Sequence, residues 1–318
     1  MSIWLIGTGI MAVDYAKVLK GLGKEFIVIG RGEDRAKAFE DAAGIKPVTG
    51  GVENYFAAGH KAPEFVINSV GIDKLTEVTI DLLNHGCKSI LLEKPGIGYA
   101  EEIDSIAGLA KEKDASILLA YNRRFYQSVI AAKKMIVEDG GVVSFNFEFT
   151  EWSHQIEGIK HLKTQAELQN WFLGNSTHVT DMAFYLGGEP KEIACFVNGK
   201  GNIEWHNRSS NYSGAGISKN GALFAYHANW KGPGRFSVEM LTAKRRFIFR
   251  PLEKLQVQNL GSVAINFVEE IDYTIDEQYK PGLFLQTKAY LENQTEDFID
   301  IYEQQKLIKD VYLKMSGY

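Results

Sequence analysis

Three short segments carry residue types that could do chemistry, and the first lies at the start of the chain. Gly7-Thr8-Gly9-Ile10-Met11-Ala12 fits the pattern G-x-G-x-x-G/A directly after the apolar run Ile3–Ile6 and before a helical pattern. In this context the turn can bind a pyrophosphate, because Gly7 allows the tight turn and Gly9 leaves room for the phosphate. The N–H groups and dipole at the helix start attract the anion. The segment predicts a dinucleotide site with contacts from Gly7, Thr8, Gly9, Ile10 and Met11.

The end of the second apolar run bears on which dinucleotide binds. A carboxylate about 20 residues after the glycines would accept a hydrogen bond from a free ribose 2′-hydroxyl. Here that position reads Ile29-Gly30-Arg31, without a carboxylate, and Arg35 lies one helical turn further on. An arginine can hold a 2′-phosphate through two parallel hydrogen bonds. Arg31 and Arg35 therefore favour NADP, while NAD stays possible because Glu33 could point toward the ribose.

The second segment places a lysine after another buried strand. Leu91-Leu92 ends an apolar run and is followed by Glu93-Lys94-Pro95. Ligands of open α/β sheets bind beyond the carboxyl ends of the strands, and Pro95 keeps Lys94 out of helical geometry. A surface lysine before a turn proline would give the same tripeptide, so both interpretations stay open at this point.

A parallel sheet is needed to bring these segments together. Through residue 121, apolar runs alternate with helical patterns, and strands that are apolar throughout indicate a parallel sheet covered on both faces. We therefore predict an α/β chain that begins with a doubly wound Rossmann domain over 1–121. After a predicted helix over 126–138, runs such as 143–149 alternate strictly between apolar and polar residues. They predict a second, α+β domain over 122–318 with a mostly antiparallel sheet, whose last helix could pack back on the first domain.

The composition argues against several classes of protein. The 318 residues are 45% hydrophobic and 24% charged, as in ordinary globular proteins. Lys and Arg number 35 against 40 Asp and Glu, and this mild acidity argues against nucleic acid or an anionic membrane as partner. Cys87 and Cys195 are the only cysteines, so we expect neither a disulfide framework nor a cysteine-rich metal site. The histidines are scattered and the carboxylates lack metal-ligand spacing, so we expect no metal site of another kind. Without a long apolar stretch or signal-peptide pattern, we expect a cytoplasmic protein.

The third segment extends the pattern into the second half of the chain. His178-Val179-Thr180-Asp181 is closed by Tyr185-Leu186-Gly187-Gly188, and Tyr121-Asn122-Arg123-Arg124-Phe125 follows the last Rossmann strand. With the glycine-rich turn and Glu93-Lys94-Pro95, these segments resemble the glucose–fructose oxidoreductase/inositol dehydrogenase (Gfo/Idh/MocA) family over essentially the whole chain. The resemblance implies a Rossmann domain, a C-terminal domain with a large open sheet, and a nicotinamide cofactor between them. It also implies oxidation or reduction of a sugar, sugar nucleotide or cyclitol, and a homodimer or homotetramer formed through the open sheet.

The resemblance also assigns residues. The family's catalytic lysine matches Lys94 and its catalytic histidine matches His178. Because an ordinary lysine has a pKa of about 10.4 and a histidine about 6.5, we predict the imidazole as acid–base group and the ammonium as stabiliser of a developing alkoxide. Further cofactor contacts are expected from Asn68, Ser69, Glu93, Lys94, Pro95, Asn122 and Arg123. Substrate contacts are expected from Lys94, Arg124, Trp152, His154, Trp171, Asn175 and His178. Ordinary core or interface packing would equally explain the aromatic residues, and an interdomain salt bridge or a cap would equally explain Asn122 and Arg124.

Two other functions stay open from the sequence. The same fold could reduce a non-sugar carbonyl or a tetrapyrrole, as biliverdin reductases do. Many family members carry an aspartate four residues before the histidine, where this chain has Gly174. The chain could therefore be a silent sensor that binds a dinucleotide and a protein partner, although Lys94 and His178 argue for an enzyme. The enzymatic interpretation requires these two side chains to meet over one nicotinamide ring.

Overall fold

The computed structural model describes residues 1–318 and divides into two compact units. The first contains residues 1–122 and 278–306, and the second contains residues 123–277 and 307–318. This division differs from two continuous domains, because residues 278–306 return to the first unit whereas 307–318 stay with the second.

The two units are built from strands and mostly short helices. The strands are β1 (Ile3–Ile6), β2 (Ile27–Ile29), β3 (Phe65–Asn68), β4 (Ser89–Leu92), β5 (Ser116–Leu119), β6 (Ser144–Glu148), β7 (Pro190–Asn198), β8 (Asn211–Ser218), β9 (Leu223–Asn229), β10 (Ser237–Leu241), β11 (Arg245–Phe249), β12 (Gln256–Asn259), β13 (Asn266–Phe267) and β14 (Ile299–Asp300). The α-helices are α1 (Ile10–Gly21), α2 (Glu33–Ala43), α3 (Gly51–Ala57), α4 (Leu75–Asn84), α5 (Ile103–Glu112), α6 (Gln127–Glu138), α7 (Ser153–Ile159), α8 (Gln165–Gln169), α9 (Thr177–Gly187), α10 (Thr274–Gln278), α11 (Leu283–Leu291), α12 (Ile301–Leu307) and α13 (Leu313–Ser316). Two π-helical turns, Phe172–Ser176 and Ile308–Tyr312, precede α9 and α13.

The first unit is built on a six-stranded sheet in the order β14-β5-β4-β3-β1-β2. Strands β1 to β5 pair in parallel, and the short β14 pairs antiparallel with β5. Every residue of β1 and β3 is buried, which explains why their sequences are apolar without alternation. The predicted doubly wound sheet is confirmed. Because β2 and β3 lie on opposite sides of β1, the carboxyl ends of β1 and β3 flank the switch point where such sheets bind ligands.

Residues 278–306 complete the first unit. Helix α11 packs on α1, and its Tyr290 is 2% exposed. The Tyr290 hydroxyl donates to the Val66 carbonyl at 3.0 Å and accepts from Ser89 Oγ at 3.1 Å. This segment therefore joins the centre of the sheet through strands β3 and β4.

The second unit is built on an eight-stranded sheet in the order β13-β12-β11-β10-β6-β9-β8-β7. Its pairs are antiparallel except β6 with β9, so the expected mostly antiparallel sheet is confirmed. Residues of β9 alternate between exposed and buried along the whole strand. Helix α9 covers the buried face, where the Phe184 ring lies 5.5 Å from those of Phe147 and Phe224. This packing fixes α9, which carries the predicted catalytic histidine.

Two further features of the fold bear on function. None of the helices combines the length and the apolar character that crossing a bilayer requires. No group of three or more His, Cys, Asp or Glu side chains is arranged to hold a metal ion.

Candidate functional site

The glycine-rich turn joins β1 to α1 at the switch point of the first sheet. Gly7 has φ +113°, and a Cβ there would lie 2.9 Å from the backbone oxygen of Ser69. Both the backbone angle and the neighbouring strand therefore require glycine. At Gly9, the N-cap of α1, a Cβ would meet no protein atom within 4 Å. This open space at the start of a 12-residue helix fits the pyrophosphate of a dinucleotide.

The end of β2 lies beside this turn. A Cβ at Gly30 would lie 2.6 Å from Thr8 Cγ2, so the two segments are closely packed. The Gly51 N–H donates to the Gly30 carbonyl at 2.9 Å, and the Gly50 N–H donates to the Arg31 carbonyl at 3.1 Å. The side chains of Arg31, Glu33 and Arg35 are exposed. The backbone of Arg31 is thus fixed while its guanidinium stays accessible to a ligand.

Asn68 and Ser69 are buried at the end of β3 and have partners inside the first unit. Asn68 Nδ2 donates to Thr79 Oγ1 at 3.1 Å, and Ser69 Oγ donates to the Ile6 carbonyl at 3.0 Å. The backbone of Ser69 is what closely approaches Gly7. These side-chain hydrogen bonds stabilise the backbone at the switch point. Cofactor contacts from the two residues stay a prediction.

Lys94 stands in a turn that other parts of the first unit hold in place. The Glu93 N–H donates to the Asn68 carbonyl at 2.9 Å, and the Gly96 N–H donates to the Glu93 carbonyl at 3.0 Å. The Pro95 carbonyl, after a cis peptide bond, accepts from Nε2 of the fully buried Gln304 at 2.9 Å. Lys94 itself is half-buried. The backbone that carries the Lys94 side chain is therefore fixed next to the strand that ends at Asn68.

The Glu93 side chain connects this turn to α1. Its buried carboxylate accepts a hydrogen bond from the Tyr15 hydroxyl at 2.8 Å. Burial raises the pKa of the Glu93 carboxyl, and the charge of Lys94 and the Tyr15 hydrogen bond oppose that rise. The structure thus places Glu93 as a link between the lysine turn and the helix of the glycine-rich turn; its predicted cofactor contact stays a prediction.

The three polar residues after β5 have different partners. Asn122 Nδ2 donates to the Pro281 carbonyl at 2.9 Å within the first unit. In the second unit, the Arg123 guanidinium lies 5.7 Å from the centre of the Phe236 ring. Arg124 forms two hydrogen bonds to Asp181, at 2.9 and 2.7 Å. Arg124 therefore anchors α9 through Asp181. The expected contact between Arg124 and a substrate stays a prediction.

We expect Asp181→Ala to lower the free energy of unfolding by about 3–5 kcal/mol, because the Arg124 guanidinium would stay buried without its counter-charge. The side chains of Arg124 and Asp181 are only 12% and 1% exposed. Urea unfolding followed by circular dichroism measures this loss. Asp41→Ala is the control, since its ion pair with Lys37 is 62–69% exposed and screened by solvent, so that its removal should cost far less. Equal effects of the two substitutions would contradict the expectation.

In the second unit, Glu151 forms the centre of a cluster directly after β6. This carboxylate is 2% exposed and accepts hydrogen bonds from Asn175 Nδ2 at 3.0 and 2.8 Å and from Ser176 Oγ at 2.7 Å. Arg235 Nη1 lies 4.0 Å from Glu151 Oε2. Burial raises the pKa of the Glu151 carboxyl, and the hydrogen bonds from Ser176 and Asn175 oppose that rise. Sequence reasoning missed Glu151, although an acidic residue directly after an alternating strand could have indicated it.

His178 lies in the first turn of α9 and is half-buried. The helix is continuous with the π-helical turn Phe172–Ser176, and such turns occur frequently at functional sites. Asn175, in this π-helical turn, comes three residues before His178 on the same continuous helix. The second unit therefore places the predicted acid–base group close to the Asn175–Glu151 pair.

The predicted aromatic contacts lie around the same cluster. Trp152 is 39% exposed, its indole N–H donates to the Gly234 carbonyl at 2.9 Å, and the Arg235 guanidinium covers its ring at 4.5 Å. Trp171 packs edge-on against Trp205 at 5.3 Å. The Trp205 indole in turn stacks on that of Trp230, with ring centres 6.1 Å apart and planes 11° from parallel.

A cavity of about 300 Å³ opens beside Glu151 in the second unit. This volume lies at the lower end of the range of small-molecule sites, about 300–1,000 Å³. Of the predicted substrate residues, His154 lines the cavity itself. Asn175 and Trp171 contact residues of the lining: Asn175 donates to Glu151, and Trp171 packs against Trp205. Trp205 and Trp230, which line the cavity, were not predicted from the sequence. The nearby walls include Glu151, Ser153, His154, Trp205, Trp230 and Lys231.

Comparison with known proteins finds relatives by structure alone. Neither a protein-family profile nor a curated protein matches the sequence. An oxidoreductase from Agrobacterium radiobacter, solved with NAD+, L-tartaric acid and magnesium, is 15% identical with a TM-score of 0.77, over 100% of this chain and 96% of that chain. A levoglucosan dehydrogenase in complex with NADH and levoglucosan is 18% identical with a TM-score of 0.78, over 100% of this chain and 97% of that one.

A third solved structure belongs to a sugar-nucleotide enzyme. UDP-N-acetylglucosamine 3-dehydrogenase from Acidithiobacillus ferrooxidans is 14% identical with a TM-score of 0.74, over 99% of this chain and 96% of that chain. These likenesses span both units at low identity, and what they show is a common fold. The chain therefore has the fold of nicotinamide-dependent oxidoreductases of the Gfo/Idh/MocA type, which the motifs in its sequence resemble.

Proposed function

We propose that the protein is a nicotinamide-dependent oxidoreductase acting on a hydroxyl or carbonyl group of a sugar, sugar nucleotide or cyclitol. One observation carries this proposal. The glycine-rich turn with Gly9 and the fixed turn with Lys94 both lie at the carboxyl ends of strands of the same parallel sheet. Full-length likeness to structures named as levoglucosan dehydrogenase and UDP-N-acetylglucosamine 3-dehydrogenase supports the substrate class. A small carbohydrate-like molecule in the cytoplasm, rather than nucleic acid or a membrane, is the partner we propose.

The chain's own residues would divide the work of this reaction. When bound, the nicotinamide accepts or donates the hydride. The backbone from Gly7 to Met11 would hold the pyrophosphate at the start of α1. The Lys94 ammonium would stabilise negative charge on the reacting oxygen, and His178 would remove the hydroxyl proton during oxidation and return it during reduction.

Two measurements on the purified protein test the proposal. Titration with NADPH and NADH, followed by the fluorescence of the reduced cofactor, should show saturable binding. Turnover is then measured on a panel of sugars, sugar nucleotides, cyclitols and tetrapyrroles, and we expect it with a carbohydrate-like member. Tetrapyrrole turnover alone would indicate a reductase of that class. Cofactor binding without turnover on the whole panel would indicate a sensor, and absence of cofactor binding would refute the proposal.

We further propose that NADP is preferred over NAD. We expect Arg31→Ala to weaken NADPH binding about tenfold or more, because a charged hydrogen bond contributes about 1.5–3 kcal/mol and 1.4 kcal/mol is tenfold. NADH binding by the same variant should change less than about twofold and serves as the internal control. The side chain of Arg31 is exposed at the end of β2, where the strand carries Gly30 and no carboxylate. A wild-type protein that binds NADH tenfold more tightly than NADPH would contradict this preference.

We also propose a homodimer or homotetramer formed through the outer face of the second sheet. Phe196 and Leu223 are 69% and 58% exposed. They lie on one face, since Phe196 pairs with Ser213 and Ser213 with His227, four residues from Leu223. Two exposed apolar side chains on one face of the sheet support a subunit interface there. Light scattering should give a multiple of the monomer mass for the wild type and a smaller mass for Phe196→Asp. An unchanged mass would contradict this interface.

A further inference from the structure

The charge of the cavity beside Glu151 limits what it can bind. Three carboxylates line it, those of Glu151, Glu157 and Glu204, against the single ammonium of Lys231. Glu157 and Glu204 share Lys160, whose Nζ lies 2.5 and 3.0 Å from them. Glu151 has only the Arg235 guanidinium at 4.0 Å, and that side chain is 46% exposed. The buried carboxylate is therefore weakly compensated, and a second anion beside it would be repelled.

Two residues of the cavity lining carry buried hydrogen-bond donors without a partner in the protein. Trp205 is 4% exposed and lines the cavity, and its buried indole N–H has no hydrogen-bond partner. The buried Ser153 hydroxyl, also in the lining, has none either. A buried donor without a partner destabilises the fold, so such groups in a native protein require a ligand or solvent partner. The indole side chains of Trp205 and Trp230 and the Glu151 carboxylate acceptor in one lining match the alternating apolar and hydroxyl surface of a sugar ring.

The hydrogen bonds of Glu151 leave it room for a ligand. Oε1 accepts from Asn175 and Ser176, and Oε2 accepts from Asn175. Since each carboxylate oxygen can accept about two hydrogen bonds, Oε2 keeps an acceptor position. Gly174 has no side chain, so Glu151 is the group that brings a carboxylate to the helical turn before His178.

We propose that this cavity binds the ring of an uncharged or amino-substituted sugar or cyclitol, and that Glu151 determines this specificity. Glu151 accepts a hydrogen bond from a ligand hydroxyl or ammonium group and rejects ligands that carry a carboxylate at that position. This proposal rests on the proposed function and narrows its substrate class to neutral and amino sugars, against uronic and aldonic acids.

Binding to the full-length protein tests the inference without turnover. The probes are D-glucose, levoglucosan, myo-inositol, D-galactose and D-glucosamine, compared with D-glucuronate and D-galacturonate, by isothermal titration calorimetry and by tryptophan fluorescence. We expect at least one neutral or amino probe to bind tenfold or more tightly than either uronate. Glu151→Gln should reduce this preference at least tenfold, because it keeps the shape and removes the charge. Binding of none of the neutral and amino probes, or equal binding of the uronates, would overturn the proposal.

Control variants separate a specific loss from a folding defect. Glu204→Gln removes another carboxylate of the same cavity, 81% exposed, and should leave the preference within about twofold. Trp205→Phe keeps an aromatic plane and removes the N–H, so it should weaken the neutral probes and the uronates alike. Circular dichroism melting curves establish that each variant is folded. If Glu204→Gln removes the preference as fully as Glu151→Gln, Glu151 is not the determining residue.

The two proposals fail in different ways. If the wild type binds NADPH and oxidises a sugar, but Glu151→Gln keeps the same KM ratio for neutral and acidic sugars, the role of Glu151 is refuted alone. If neutral sugars bind with the expected preference and no nicotinamide cofactor binds, the proposed function is refuted and the cavity assignment stands.

Discussion

Lys94→Met should lower kcat by about a thousandfold or more while NADPH affinity stays within about threefold. Removing one group that stabilises a developing oxyanion costs about 10²–10³ in kcat, and a lysine in that position also orients the reacting oxygen. Methionine keeps the length of the side chain and removes its charge. Single-turnover kinetics measures the chemical step, and fluorescence titration measures cofactor binding.

The matched control for this substitution is Lys88→Met. Lys88 is exposed directly before β4, the same strand that leads to Lys94, so kcat should be unchanged. Near-normal turnover of Lys94→Met would refute its catalytic role. Loss of NADPH binding without further loss in the chemical step would instead indicate that Lys94 only holds the cofactor.

The partner substitution, His178→Asn, should lower kcat by about 10²–10⁴, the range for removing a general acid–base group. Because Lys94 belongs to the first unit and His178 to the second, the pair tests whether both contribute to one reaction. If they act on the same reacting oxygen, the double variant should lose less than the product of the two single losses. Independent, multiplicative losses would argue against that arrangement.

Gly9→Val should weaken NADPH binding by about a hundredfold or more and leave the protein folded. A Cβ at Gly9 would meet no protein atom within 4 Å, so the branched side chain would occupy the open space in which we propose that the pyrophosphate binds. The expected cost in stability is about 1 kcal/mol, from the loss of a favourable N-cap residue. Fluorescence titration measures the affinity, and thermal melting measures the stability.

Two other glycines provide contrasting controls. Gly7→Val should destabilise strongly, because Gly7 has φ +113° and its Cβ would lie 2.9 Å from the Ser69 oxygen. Gly108→Ala, on the exposed face of α5, should slightly stabilise the protein and leave NADPH binding unchanged. Normal NADPH affinity in Gly9→Val would mean that the pyrophosphate does not approach this backbone.

Much of the fold could be predicted from hydrophobic patterning. Strand β1 is buried at every residue and β9 alternates, and these two patterns distinguished the parallel sheet from the antiparallel one. The glycine-rich turn was also recognisable, because its chemistry lies in consecutive residues with a fixed conformation. Local sequence carries such information directly, since the side-chain period and the turn geometry depend on near neighbours.

Long-range partners could not be predicted in this way. The sequence around Gln304 indicates a helix, but nothing in the sequence shows that Gln304 and Tyr290 bind Pro95 and Val66, more than 200 residues earlier. Glu151 was missed for the same reason, because its importance arises from Asn175 and Ser176 on another element. Patterning shows which face of an element is buried, and the partner that covers it depends on the assembled chain.

The return of residues 278–306 has a consequence for dissecting this protein. The chain passes from one unit to the other three times, after residues 122, 277 and 306. A fragment ending at residue 122 would lose the Tyr290 hydroxyl from strand β3 and the Gln304 amide from the Pro95 carbonyl. Topologically, residues 123–277 are an insertion within the first unit, so a self-sufficient version of that unit requires splicing residue 122 to residue 278 through a short linker.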